Sequence, residues 1–185
     1  MMPVMNSDPG DKTIFLVGIM ACGKTTVGAA LATRLNRQFV DLDPLIVAKA
    51  GCSIAELIAR DGEQRFRQME TETLRETAQN ASLVIAPGGG AITRSENRTV
   101  MEASGVTIWL DAPFELCWRR IQQDAAIRPL AATESAARER YEQRLPLYAQ
   151  AAIRVTIHEA QTPEDIAACI AAAILTHRPS PPPSQ

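Results

Sequence analysis

The chain has 185 residues, 46% of them hydrophobic and 22% charged, the size and balance of one soluble globular domain. A formal net charge of -2 excludes a general attraction to nucleic acid or to an anionic membrane, so any phosphate binding must be local. The scattered Cys22, Cys52, Cys117 and Cys169 contain no CxxC pair, which excludes a zinc site or a disulfide framework, and no apolar run approaches the ~20 residues that span a bilayer.

Residues 1–11 are polar or turn-forming, lack the apolar stretch of a signal peptide, and are expected to be disordered. A cytoplasmic protein with free thiols is expected. Thr13 to Val17 (TIFLV) is a continuous apolar, β-rich run that stops at Gly18 and suits a parallel strand buried on both faces. Thr25 to Asn36 carries apolar residues at helical spacing. Phe39 to Leu42 reads as a second strand. Ser53 and Glu56 form a capping box that opens a helix. Glu63 to Gln79 is a long polar helix with Phe66, Met69, Thr73 and Leu74 on one face.

Leu83 to Ala86 is a third strand, running into Pro87 and the Gly88–Gly90 triplet, and Val106 to Leu110 is a fourth. Helices are expected over Pro113 to Gln122 and over Glu134 to Ala149, where Pro146 must bend or end the second one. The connection between them is polar and Ala-rich. Ile153 to Ile157 is a fifth strand, and Thr162 caps a closing helix from Pro163 to Thr176. The Pro/Ser-rich residues 178–185 are expected to be disordered. Short strands alternating with helices mean a three-layer α/β/α domain over 1–185, a parallel sheet whose ligands bind at the carboxyl ends of the strands.

The sequence GIMACGKT (Gly18 to Thr25) follows a strand and precedes a helix, the context that identifies a phosphate-binding P-loop. Its backbone N–H groups and the helix N-terminus cradle phosphates, and Gly18 and Gly23 permit backbone angles that side chains resist. Lys24 brings a cation to the β and γ phosphates, and Thr25 a hydroxyl to Mg²⁺. Ala21, Cys22, Gly23 and Thr26 complete the ATP-binding run.

On the acceptor side, Asp41 and Asp43 stand two apart at the end of the second strand, a spacing that turns both carboxylates to one face. One can serve Mg²⁺ through water, and the other can take the proton of an attacking alcohol. Arg67 sits in GEQRFRQME, where nothing in the bare sequence separates it from Arg65 or Gln68. The glycine triplet allows close approach of a ligand to free N–H groups. Arg128, in the connection between the helices, and Arg144, in RLPLY, could each be a surface charge; an arginine on a mobile lid, expected over residues 122–138, could neutralise charge on a transferring phosphoryl group, and Arg119 and Arg120 could flank an adenine.

The ordered set GIMACGKTT, DLD, DGEQRFRQME, GGGA, RPL and RLPLY resembles the shikimate kinase family over about residues 12–160. The resemblance implies a nucleoside-monophosphate-kinase type of fold with sheet order 2-3-1-4-5, in a monomer. It implies transfer of the ATP γ-phosphate to the 3-hydroxyl of shikimate with Mg²⁺. Asp43 matches the acid that contacts the shikimate hydroxyls, Arg67 and Arg144 the arginines that hold its carboxylate, and Gly89 the glycine that contacts substrate through its backbone. Arg128 matches the lid arginine on the ATP phosphates, and Asp41 the acid near Mg²⁺.

The loop departs from the family pattern at Ala21, where glycine is common, and at Thr25, where serine is. Ala21 is therefore expected to avoid positive φ, and Cys22 to make the loop sensitive to thiol reagents. A gluconate kinase shares the P-loop and lid but not the DLD, Arg67 and GGG set. A regulatory nucleotide-binding module needs no acceptor site at all.

Overall fold

A computed structural model describes residues 12–80, 82–123 and 133–177. Residues 1–11 and 178–185, Arg128 and residues 124–132 of the expected lid lie outside the described residues. Five parallel strands form one sheet in the order β2-β3-β1-β4-β5. They are β1 (Thr13–Val17), β2 (Gln38–Asp41), β3 (Leu83–Ala86), β4 (Gly105–Asp111) and β5 (Ile153–Thr156). All five residues of β1 are buried, as a central parallel strand requires. Its register pairs Ile14 with Val84 on one side and with Val106 on the other.

The period of two along β1 splits the core. Ile14 and Leu16 face one layer, with Val27 and Leu31 of helix α1 (Lys24–Leu35), Phe114 and Cys117 of α5 (Phe114–Gln123) and Ile166 and Ile170 of α7 (Pro163–Thr176). Phe15 and Val17 face the other. There they meet Leu42 and Ile46 of α2 (Leu42–Ala50), Leu57, Phe66 and Leu74 of α3 (Ile54–Thr77), Met101 of α4 (Ser95–Ser104) and Tyr148 of α6 (Glu134–Tyr148). Full burial of one such side chain contributes about 1.5–3 kcal/mol, so the sheet holds both layers at once.

The capping box at Ser53 forms as expected, and Thr162 caps α7 as expected, within a capping box closed by Asp165. Non-helical angles at Gly62 (φ 86°) interrupt α3 where the sequence separates two helical segments. One local expectation changes, one helix is added and one expectation is narrowed. Strand β2 stops at Asp41, and α2 begins at once, with Asp41 as its N-cap. Pro44 stands in that helix's first turn, where its missing N–H costs nothing, so it marks a helix start rather than a strand end. Helix α4 has only Asn97 and Met101 buried, too sparse a pattern to read in advance. Of the two outcomes expected at Pro146, an end is ruled out, since α6 runs on to Tyr148. Among the described residues no helix is long and apolar enough to cross a membrane.

Candidate functional site

Gly18 to Thr25 join β1 to α1 as a wrapped loop. Gly18 (φ 150°) and Gly23 (φ 104°) take backbone angles that L-residues resist, and a Cβ on Gly18 would lie 2.8 Å from the Leu110 carbonyl oxygen. Ala21 does not avoid positive φ: it sits at 62°, at a cost of about 1–2 kcal/mol, because the turn demands a left-handed residue there. Arg120 Nη1 donates to the Ala21 carbonyl at 3.1 Å and pins that turn.

Lys24 Nζ donates to the Gly18 and Ile19 carbonyls, both at 3.0 Å, which holds the ammonium inside the loop. Cys22 is 1% exposed, packed in the apolar layer that also holds Cys117. Burial, with a smaller push from Cys22, raises the Cys117 thiol to about 12. The expected sensitivity of Cys22 to thiol reagents therefore meets an obstacle, since a reagent reaches it only when the loop opens.

Thr25 Oγ1 donates to Asp41 Oδ2 at 2.7 Å, and Asp41 Oδ1 accepts the Asp43 N–H at 3.1 Å. A hydroxyl and a carboxylate this close, at a phosphate cradle, are hard oxygen donors that fit Mg²⁺. Among the described residues no three His, Cys, Asp or Glu side chains cluster to hold a metal, so such an ion would depend on the phosphates for further ligands. Arg120 also lines the cradle's cavity of about 380 Å³, beside Gln161, Pro163 and Ile166. Arg119 does not: it pairs with Glu159 at the surface. Of the two arginines, Arg120 is the one that lines this cavity.

A second cavity, of about 220 Å³, adjoins the first. Met20, Asp43, Gly88 and Gly89 line both. Asp43 reaches this junction from the first turn of α2 and not, as expected, from the strand beside Asp41. Around it stand Arg67 and Glu70 of α3, the Gly88–Gly90 backbone, Arg140 and Arg144 of α6, and an apolar wall of Ile54, Ile58 and Phe66. The cavity thus offers cations, an acid, free backbone and grease, a mixture that suits a small hydroxylated acid.

Arg67 is only 12% exposed, unlike its exposed neighbours Arg65 and Gln68. Its Nη1 donates to Glu70 Oε2 at 2.9 Å, its Nη2 to Glu63 Oε1 at 3.2 Å, and its guanidinium lies 4.8 Å from the centre of the Phe66 ring. Burial works against the Arg67 charge, but Glu70 and Glu63 outweigh it and raise the pKa. Burial pushes Glu70 upward despite Arg67, and Asp43 adds to the push. Gly90 makes room for this pair, because a Cβ there would fall 2.5 Å from Arg67 Nη2.

Arg144 Nη1 donates to the Gly89 carbonyl at 3.4 Å. Tyr148, one turn on and 1% exposed, donates its hydroxyl to the same oxygen at 2.6 Å and stacks on Trp109 with ring centres 6.1 Å apart. Fixing that carbonyl fixes the Gly89–Gly90 peptide plane, whose N–H points the opposite way in a trans peptide. Tyr148→Phe is therefore expected to raise the acceptor KM about threefold to tenfold with the ATP KM unchanged, as steady-state kinetics would measure; equal loss on both substrates would contradict it.

The sequence brought Asp41, Asp43, Arg67, Gly89 and Arg144 to attention, and the fold gathers them with Lys24 and Thr25 at the carboxyl ends of β1, β2 and β3. Glu70, Tyr148 and Arg140 were overlooked. Each lies three or four positions from a residue already singled out, so helical spacing was the available signal.

Comparison with known proteins fits this geometry. A family model described as "Shikimate kinase" matches residues 20–175. A shikimate kinase of Synechococcus sp. (strain JA-3-3Ab) is 41% identical over 174 residues, covering 92% of this chain and 92% of the relative. The solved shikimate kinase from Acinetobacter baumannii, in complex with shikimate, superposes with a TM-score of 0.83 at 39% identity, over 89% of this chain and 93% of that one. The enzyme from Bacteroides thetaiotaomicron superposes with a TM-score of 0.82 at 30% identity, over 89% and 99%.

Proposed function

The chain belongs to the shikimate kinase family, and from that premise we propose that its two adjoining cavities bind ATP and shikimate and that the γ-phosphate passes to the 3-hydroxyl between them. The observation that carries this is the shared wall: Asp43, Gly88 and Gly89 line the phosphate cradle and the arginine-lined cavity alike, so donor and acceptor meet there. The cavities belong to one catalytic domain, a monomer in the cytoplasm.

On the donor side, the loop N–H groups from Ala21 to Thr26 bind phosphate oxygens, and Lys24 exchanges its loop carbonyls for the β and γ phosphates. Thr25 would hold Mg²⁺ directly and Asp41 through water; the ion supplies charge neutralisation at the phosphates. Arg128 adds a cation from the lid. On the acceptor side, Arg67 and Arg144 take the carboxylate, and Glu70 holds Arg67 in place. Gly89 supports the ring through its backbone. Asp43 aligns the 3-hydroxyl and takes its proton as the O–P bond forms. Phosphoryl transfer asks for positioning and charge stabilisation, and each residue serves one of these.

Phosphorus–proton correlation NMR on the product of ATP, Mg²⁺ and shikimate tests the assignment. Phosphate on the 3-oxygen is expected, with turnover lost in a chelator and restored by Mg²⁺. Free phosphate alone, or phosphate on another oxygen, would refute it. A nucleotide-binding switch has no use for the paired Arg67 and Arg144.

A further inference from the structure

Three arginines line the acceptor cavity: Arg67, Arg140 and Arg144. Arg67 is held by two glutamates, and Arg144 rests on the Gly89 carbonyl. Arg140 has neither kind of support. It is half-buried, and among the described residues it makes no hydrogen bond or ion pair. It stands one turn before Arg144 on α6, on the face that also carries Ala137 and Tyr141. Like charges at this spacing repel each other, and partial burial sharpens the repulsion. A helix that carries such a pair against a cavity is relieved by an anion in that cavity.

The charges around the cavity point the same way. Glu63 and Glu70 both pair with Arg67, so Arg140 and Arg144 are the guanidiniums of this cavity with no ion-pair partner among the described residues, and a ligand's carboxylate can meet them. Arg140 lines the acceptor cavity and not the phosphate cradle, where Lys24 and Arg120 stand. Its anion therefore belongs to the acceptor and not to the nucleotide. We propose that Arg140 is a third cation for the acceptor's carboxylate, one helical turn behind Arg144, which draws the acid into the cleft and sets the preference for a charged over an uncharged polyol. This rests on the functional reading above.

The test is steady-state kinetics on the full chain with Arg140→Leu and Arg140→Lys. Arg140→Leu is expected to raise the shikimate KM about five- to tenfold, with the ATP KM unmoved and kcat changed far less. Its kcat/KM for shikimate is expected to depend less steeply on salt. Arg140→Lys keeps the charge and recovers most of both effects. With the methyl ester of shikimate, which has no charge to meet, wild type and Arg140→Leu should behave alike. An unchanged shikimate KM and salt slope, or an equal loss toward acid and ester, would overturn the proposal. A wild-type enzyme inert toward shikimate would instead refute the functional reading itself.

Discussion

Lys24→Ala is expected to lower kcat at least about a thousandfold while the protein stays folded. The ammonium is the one side-chain cation inside the Gly18–Thr25 loop among the described residues, and it bonds two loop carbonyls. Its loss removes charge where the transferring phosphoryl group develops it. The structural cost is the loss of its bonds to the Gly18 and Ile19 carbonyls, which should lower the thermal midpoint while the sheet and its two packed layers stay in place. The pair of measurements that checks this is kcat and the thermal midpoint. Full activity in the variant would mean that the loop does not work as a phosphate cradle.

Arg67→Ala is expected to raise the shikimate KM about a hundredfold and to weaken the fold as well. Removing the guanidinium takes away a charged partner of the substrate's carboxylate. It also leaves Glu70, which is 0% exposed, without its main cation. Breaking a buried pair in this way costs about 3–5 kcal/mol unless the remaining acid takes up a proton. Burial already raises the Glu70 pKa, and Arg67 holds it back, so the variant's Glu70 should titrate higher still.

The pH dependence follows from that direction. A folded-state carboxyl with a raised pKa binds more protons than the unfolded chain does, so stability falls as pH rises through the shifted range. Melting curves from about pH 5 to about pH 8 should therefore show a steeper loss in Arg67→Ala than in wild type. Arg67→Lys, which keeps a charge near Glu70, should recover stability better than it recovers KM, because an ammonium cannot reproduce the bidentate fork. Melting curves of the same slope in the variant and wild type would contradict the assigned role of Glu70.

The parts of the site that were legible in the sequence are those whose geometry is local. Strand, loop and helix are contiguous from Thr13 to Leu35, so residue order alone placed Lys24 and Thr25. Asp43 was legible as a chemical group but not as a position. Its carboxylate reaches the cleft from a helix that starts immediately after β2, and Pro44 concealed that start. Arg67 needed a partner far along the chain: what separates it from Arg65 is the room left by Gly90 and the buried Glu70. Tyr148 was within reach as the residue one turn after Arg144, but its bond to Gly89, 59 residues away, was not. Ala21 shows the reverse case, in which residue preference pointed one way and the turn imposed the other. The sheet order came through the resemblance to a family, since strand periodicity identifies strands but does not rank them.

The most direct test of a shikimate-phosphorylating enzyme is ADP release from ATP and Mg²⁺, followed with and without shikimate, with gluconate as a control acceptor. The expected result is ADP release driven by shikimate, absent in Lys24→Ala and not elicited by gluconate. ATP turnover that shikimate leaves unchanged would contradict it.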